Sequence, residues 1–263
     1  MIEPLPPPAR RVHAVYHLAS PASPPAYQAA PLRTLRTNFE GTLSLLELAR
    51  RHGARFLLAS TSEVYGQAEQ HPQRESYNGN VSPHGPRSCY DEGKRVAESL
   101  AATFEREYGV DVRVARLFNT YGPRMAPGDG RVVSTFVAQA LRGNALTVHG
   151  DGRQTRSFCY VADTIRGLRA LMEAPACRGA VNLGNPLELT IVELAQHVLH
   201  LVPGAPRELV HLRAAPDDPR RRCPDIARAR RELGWAPQVD LQRGLALTVR
   251  AAKAELGDSM NCV

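Results

Sequence analysis

The stretch that decides the fold is ARFLLAS (54–60), followed across a polar loop by CYDEGKRVAESLAATFEREY (89–108) and then DVRVARL (111–117). ARFLLAS is an apolar run of strand length. It leads into TSEVYG (61–66) and a long loop punctuated by Pro72, Gly79, Pro83, Gly85 and Pro86. The second segment reads as a helix from about Cys89 to Tyr108, stopped by Gly109, and DVRVARL reads as the next strand. Strand, helix and strand in this order make the repeating unit of a parallel α/β sheet.

Working outward, the same alternation continues. Residues 12–19, VHAVYHLA, read as a short buried strand, and a Pro- and Ser-rich loop, SPASPP (20–25), follows. Leu35, Phe39, Leu43 and Leu46 recur at helical spacing, predicting a helix over 32–52 with Gly53 as its stop. Downstream come the loop FNTYGPRMAPGDG (118–130), a helix over 132–142, a strand over 145–149 and the loop GDGRQTRSF (150–158). A helix over 163–174 and the strand AVNLG (180–184) come next, and Thr190 with Glu193 forms a capping box for a helix over 191–202. Asp225 opens a helix that closes at Gly234, and the last helix covers about 240–255. The expected fold is α/β, a doubly wound parallel sheet with a smaller C-terminal lobe.

The chain has 263 residues, 43% of them apolar, enough for one large α/β domain or a domain with a small second lobe. No apolar run approaches membrane-span length, and the start, MIEPLPPPARR, has no apolar signal core. A cytoplasmic protein with no membrane segment is expected. The formal charge is +7, almost all of it from arginine, since Lys94 and Lys253 are the only lysines. Apart from Arg220, Arg221 and Arg222 the basic residues are scattered and outline no nucleic-acid module, so the expected partner is a small anion. Cys89, Cys159, Cys177, Cys223 and Cys262 lie far apart without metal-ligand spacing. Reduced structural thiols and no metal are expected.

Two constellations carry chemistry. Tyr90 and Lys94 sit one helical turn apart on one face. An ammonium beside a phenol favours the phenolate and prepares it as a base. By itself this spacing also fits a solvated surface pair. Thr61, Ser62 and Glu63 stand at the C-terminal end of an apolar strand, where open α/β sheets place their ligands. Capping or turn roles are the alternative for the hydroxyls, and an exposed loop carboxylate is the alternative for Glu63.

Together with HLASPASPP (17–25), LLASTSEVYG (57–66), CYDEGKRVAE (89–98), VARLFNTYGPRM (114–125), DGRVVSTF (129–136), QTRSF (154–158), NLGNP (182–186) and DDPRRRCPD (217–225), these constellations follow one order. In that order the chain resembles the UDP-glucuronate decarboxylases (UDP-xylose synthases) of the extended short-chain dehydrogenase/reductase family, from about residue 12 to about 255. The related 4,6-dehydratases look like S-T-D-E-V-Y-G at the strand end, with an acid where this chain has Ser62. A serine is a poor acid for expelling water. The 4-epimerases resemble the Tyr90–Lys94 part and usually lack the serine–glutamate pair.

The resemblance implies a Rossmann-type sheet, with residues 1–121 and 157–184 forming a partial NAD-binding domain. Residues 122–156 and 185–263 would form a nucleotide-sugar-binding lobe. It implies conversion of UDP-glucuronate to UDP-xylose and carbon dioxide through a 4-keto intermediate, with NAD recycled in the site. Tyr90 would take the C4 hydroxyl proton, Lys94 would depress the Tyr90 pKa and hold the nicotinamide ribose, and Ser62 and Thr61 would bind the C4 oxygen. Glu63 would organise water or proton delivery near C5. His17, Leu18 and Ala19 are implied neighbours of the cofactor. Asn119, Arg131, Arg156 and Arg222 are implied substrate contacts, with surface ion pairs an equal alternative for Arg131 and Arg156. A homodimer through the helices near 32–52 and 89–108 is also implied. The family's N-terminal GxxGxxG turn does not occur in this sequence. On that ground the chain is expected to lack part of the sheet, to be poorly soluble alone and to bind NAD weakly. Two other readings stay open: a noncatalytic homologue that binds nucleotide sugar or pairs with a complete relative, and another extended-family enzyme, a 4-epimerase or 4,6-dehydratase.

Overall fold

The computed structural model describes residues 10–126, 128–214 and 219–260; most of the proline-rich start and Asp217–Asp218 of the arginine motif lie outside them. The first part runs β1 (Ala14–His17), α1 (Pro24–Ala29), α2 (Pro31–Arg36), a π-helical turn (Thr37–Gly41), α3 (Thr42–His52) and β2 (Arg55–Thr61). A 3-10 turn (Ser62–Tyr65), α4 (Ser88–Tyr108), β3 (Val112–Leu117) and β4 (Thr120–Tyr121) follow. Then come α5 (Val132–Leu141), β5 (Leu146–His149), β6 (Thr155–Ser157), β7 (Cys159–Tyr160), α6 (Val161–Glu173) and β8 (Ala180–Leu183). The chain continues through β9 (Glu188–Thr190), α7 (Ile191–Leu201), β10 (Leu209–Leu212), β11 (Arg221–Arg222), α8 (Ala227–Leu233) and α9 (Leu241–Met260).

The central sheet has the order β1-β2-β3-β8, and every pairing in it is parallel. Side chains alternate along a strand, so a strand buried on both faces feeds two cores. In β2, Phe56 and Leu58 pack with Leu46 and Ala49 of α3 and Ala97, Ala101 and Phe104 of α4. Leu57 points the other way, into a core built with Leu171 and Met172 of α6, Val181 and Leu183 of β8, Ala229 of α8 and Trp235. β3 divides in the same manner, Val112 and Val114 to the first core and Ala115 to the second. Helices on both faces therefore follow from the consecutive buried apolar residues Phe56 to Ala59.

Gly53 and Gly109 both adopt left-handed backbone at φ 61° and φ 66°, which ends α3 and α4 where the sequence placed their stops. The helix expected over 32–52 is interrupted by the π turn, and within it the buried Asn38 donates from Nδ2 to Thr34 O at 3.0 Å. Apolar spacing alone does not register such a turn. A third core joins α5, α7, α9 and β5 through Phe136, Leu146, Leu194, Val198 and Leu245. The stretch 150–158, read as loop, contains β6, which pairs with β9 on one side and β11 on the other. That pairing sets Arg222 opposite Arg156 although the two residues are 66 positions apart in the chain. The capping box is present as expected: Thr190 accepts from Glu193 N, and the Glu193 carboxylate accepts from Thr190 N.

Candidate active site

β2 ends at Thr61, and its last turn of chain delivers the first three site residues. Thr61 Oγ1 caps the 3-10 turn by accepting from Glu63 N at 3.2 Å. The cap fixes the direction in which the chain leaves the sheet and buries Ser62 and Glu63 beside the strand tip. The Thr61 side chain also lowers the Tyr90 pKa, against the larger effect of burial. Thr61 thus takes the capping role and also lines a cavity.

Glu63 is clamped. Its Oε1 accepts from Arg87 Nη2 at 2.8 Å and its Oε2 from Arg222 Nη2 at 2.6 Å. Burial pushes the Glu63 pKa up, but Arg222, Arg87 and Arg156 outweigh it and hold the carboxyl below the usual carboxylate range. Arg87 comes from the loop before α4 and Arg222 from β11, so two distant segments meet on one carboxylate.

Tyr90 and Lys94 enter from the first two turns of α4, both buried. Lys94 Nζ donates to Ala59 O at 2.8 Å, which anchors it to the edge of β2 near the tip. Burial lowers the Lys94 pKa to about 8, with Glu98 opposing the shift. The Tyr90 pKa is pushed up to about 12, by burial first, and the Thr61 side chain offsets this only partly. Lys94 Nζ lies 6.0 Å from the Tyr90 ring centroid. Beside Tyr90, Asp91 is a buried carboxyl raised to about 7 by burial and by Glu63, and its Oδ1 has no hydrogen-bond partner.

All of these groups except Asp91 face one cavity of about 1090 Å³. Its walls also include Leu18, Asn119, Arg131, Arg156 and Arg222, so the structure brings these together with Thr61, Ser62, Glu63, Tyr90 and Lys94. His17 and Ala19 do not line it. His17 lies buried beneath, with Nε2 3.0 Å from Thr42 Oγ1 and a pKa lowered to about 4 by burial and by Lys94, while Ala19 is exposed. Arg156 is buried, whereas Arg131 is exposed and ion-paired with Asp129. Two wall residues escaped the sequence reading. Arg87 stood in a loop that carried only turn signals. Tyr27 stacks on the Tyr90 ring at 5.1 Å and 8°, with a buried hydroxyl that has no partner. Its place directly after SPASPP was the available signal.

The cavity walls fit the nicotinamide end of a dinucleotide. Lys94 uses one of its three N–H donors on Ala59 O, and Tyr90 and Leu18 line the same cavity. No described residue provides the glycine-rich turn that cradles a pyrophosphate.

Known proteins resemble this chain over most of its length. The model of the GDP-mannose 4,6 dehydratase family matches residues 9–248. UDP-glucuronic acid decarboxylase 6 of Arabidopsis thaliana is 56% identical over 247 residues, which is 94% of this chain and 71% of that protein. UDP-glucuronic acid decarboxylase 1 of Xenopus tropicalis is 55% identical over 250 residues, 95% of this chain and 59% of that protein. The chain belongs to the UDP-glucuronic acid decarboxylase family. The extended short-chain dehydrogenase/reductase fold of this decarboxylase relative is shared by solved structures. A UDP-glucose 4-epimerase from Thermotoga maritima, solved with UDP-glucose, superposes with a TM-score of 0.85 at 32% identity, covering 93% of this chain and 78% of that one. A dTDP-glucose 4,6-dehydratase from Streptomyces venezuelae, solved with NAD bound, gives 0.85 at 31%, covering 94% and 75%. Among the described residues no helix is long and apolar enough to cross a membrane.

Proposed function

We propose that this decarboxylase-family chain converts UDP-glucuronate to UDP-xylose and carbon dioxide with NAD as its cofactor. The observation that carries the reading is the meeting of Tyr90, Thr61 and Ser62 with the arginine-clamped Glu63 in one cavity. Hydroxyls suit a sugar oxygen that changes charge, and guanidinium forks suit carboxylate and phosphate.

The substrate carries its carboxylate on C5. Oxidation at C4 makes it a β-keto acid, so the C5–carboxyl bond breaks with its electron pair entering an enolate, and a proton then returns to C5. Bound beside Tyr90 and Lys94, NAD would supply the hydride acceptor for C4, the hydride donor for the return step, and a positive charge. Tyr90 takes the C4 hydroxyl proton and gives it back. Thr61 and Ser62 hold the C4 oxygen in place. Lys94 directs its remaining donors to the nicotinamide ribose. Glu63 stays ionised with both oxygens engaged, so it holds Arg87 and Arg222 in place and organises water near C5 rather than donating the proton itself. Asn119 and Arg156 contact the substrate, with Arg131 at the mouth. The sheet with its helices is the cofactor-binding part, and the α5–α7–α9 core belongs to the nucleotide-sugar lobe.

Pairing of two copies through α2–α3 and α4 is part of this proposal. It is supported by the exposed Leu32, Leu35 and Phe39 on α2 and the π turn. The activity test is incubation of the purified chain with UDP-glucuronate and NAD. Release of labelled carbon dioxide with stoichiometric UDP-xylose is expected, and a 4-epimerised or dehydrated sugar as the only product would overturn the assignment.

A further inference from the structure

Outside the cavity, three side chains from three separate segments converge. His71 lies in the loop after the 3-10 turn, Glu188 begins β9, and Cys223 follows β11. One ligand atom from each lies within 4.8 Å of the other two. None of the three lines the cavity. We propose that Cys223, His71 and Glu188 form a binding site for a divalent cation of the zinc class.

The donor set is one thiol sulfur, one imidazole nitrogen and one carboxylate oxygen. That combination of soft and borderline ligands selects zinc over the hard, oxygen-preferring magnesium and calcium. The backbone behind it is fixed. Cys223 N donates to Gln73 Oε1 at 2.8 Å and Gln73 N donates to Cys223 O at 2.9 Å, which ties Cys223 to the loop carrying His71. Glu188 is held in the β11-β6-β9 sheet and accepts a hydrogen bond from Thr155 Oγ1, a neighbour that orients a ligating carboxylate.

His71 Nε2 already sits 3.0 Å from Glu188 Oε2, while His71 Nδ1 is buried without a hydrogen-bond partner. Tetrahedral zinc places its ligand atoms about 3.3–3.8 Å apart, so the three close on a cation by moving about 1 Å or less. Binding exchanges the thiol proton of Cys223, released to solvent, for a sulfur–metal bond, and water completes the fourth position. The opposing charge is Arg221, whose Nη2 lies 3.9 Å from Glu188 on a side chain that is 60% exposed and has room to turn outward. Cys223 adjoins Arg222, so the bound cation clips the strand that delivers an arginine to Glu63. The site stands independently of the decarboxylation reading.

The test titrates the metal-stripped full chain with cobalt(II) as the spectroscopic probe, then with zinc. The expected result is one equivalent bound, with a thiolate-to-cobalt charge-transfer absorption that zinc bleaches. Cys223→Ser abolishes that absorption and His71→Ala weakens binding about tenfold or more. No charge-transfer absorption in the unmodified chain, or the same absorption in Cys223→Ser, overturns the proposal. Circular dichroism selects folded variants. As a second measurement, zinc raises the unfolding midpoint of the unmodified chain and leaves that of Glu188→Gln unchanged; an equal rise in both also overturns it.

Discussion

The two ends of the central sheet each hold a carboxylate among arginines, and they serve different purposes. At the N-terminal ends of the strands, Asp111 accepts from Arg55 at 2.5 Å and from Arg113 and Arg178 at 2.6 Å. Those guanidiniums are further engaged by carbonyls: Arg55 reaches Met172 O, and Arg113 reaches Val112 O, Ala174 O and Pro175 O. At the C-terminal ends, Glu63 lies between Arg87 and Arg222, but there the cluster opens on a cavity and its surroundings are incompletely satisfied. The hydroxyl of Tyr27, which lines that cavity, is buried without a partner. Groups left wanting hydrogen bonds around a cavity are what a ligand can satisfy, whereas a cluster closed on itself has nothing to offer. A charge cluster alone therefore does not mark a site in this fold.

The largest expected effect comes from the open end. Tyr90→Phe keeps the ring stacked on Tyr27 and removes only the hydroxyl. Turnover is expected to fall by about 10²–10⁴-fold, measured as carbon dioxide release, with an unchanged unfolding midpoint. Turnover within a few-fold of the unmodified chain would erase the distinction between the two ends.

The closed end reverses that pattern. Arg113 is fully buried, so Arg113→Met leaves the carbonyls of Ala174 and Pro175 without their donor. The expected cost is about 2–4 kcal/mol of stability in denaturant melts, with kcat/KM of the folded protein within about threefold of normal. A large loss of kcat/KM with no loss of stability would show that the closed end also serves the reaction.

The smallest effect sharpens the comparison by pH. Asp91 at the open end is raised to about 7 by burial and Glu63. Asp111 at the closed end is also pushed up by burial, but Arg55 and Arg113 bring it below the ordinary carboxylate range. Folded Asp91 holds its proton more tightly than the unfolded chain does, so the stability it contributes is complete below about pH 4 and is lost as pH rises through about 7. Asp91→Asn keeps a neutral side chain throughout. It is expected to be more stable than the unmodified chain at pH 8 by on the order of 1–3 kcal/mol, with no gain at pH 4. Urea melts at the two pH values measure this, and a gain of equal size at both would show that the cause is not the Asp91 charge.

Much of the architecture was legible because it rests on local chemistry. The apolar ARFLLAS, the helix ending at Gly109 and the capping box at Thr190 each depend on neighbours a few residues away. The π turn at Thr37–Gly41 was not legible, since it alters hydrogen bonding without altering the apolar pattern. Nor were β6 and β11, whose strand character comes from pairing with each other and with β9 rather than from propensity. In the site, Tyr90, Lys94, Thr61, Ser62 and Glu63 were readable from spacing and position. Arg87 was not, because nothing local distinguishes one loop arginine from another, and Tyr27 carried only the weak signal of its place just after SPASPP.

By itself the sequence determined which segments are strands and helices of the main sheet, which way its strands run, and which residues stand at the tip of β2. Apolar period, glycine stops and caps act over a few residues and are written in the chain directly. Tertiary structure alone decided that Glu63 is shared by two arginines brought from residues 87 and 222, and that burial raises Tyr90. It also decided that His71, Glu188 and Cys223 meet. Desolvation and charge coupling depend on distances in space, and those distances exist only once the separate segments have packed.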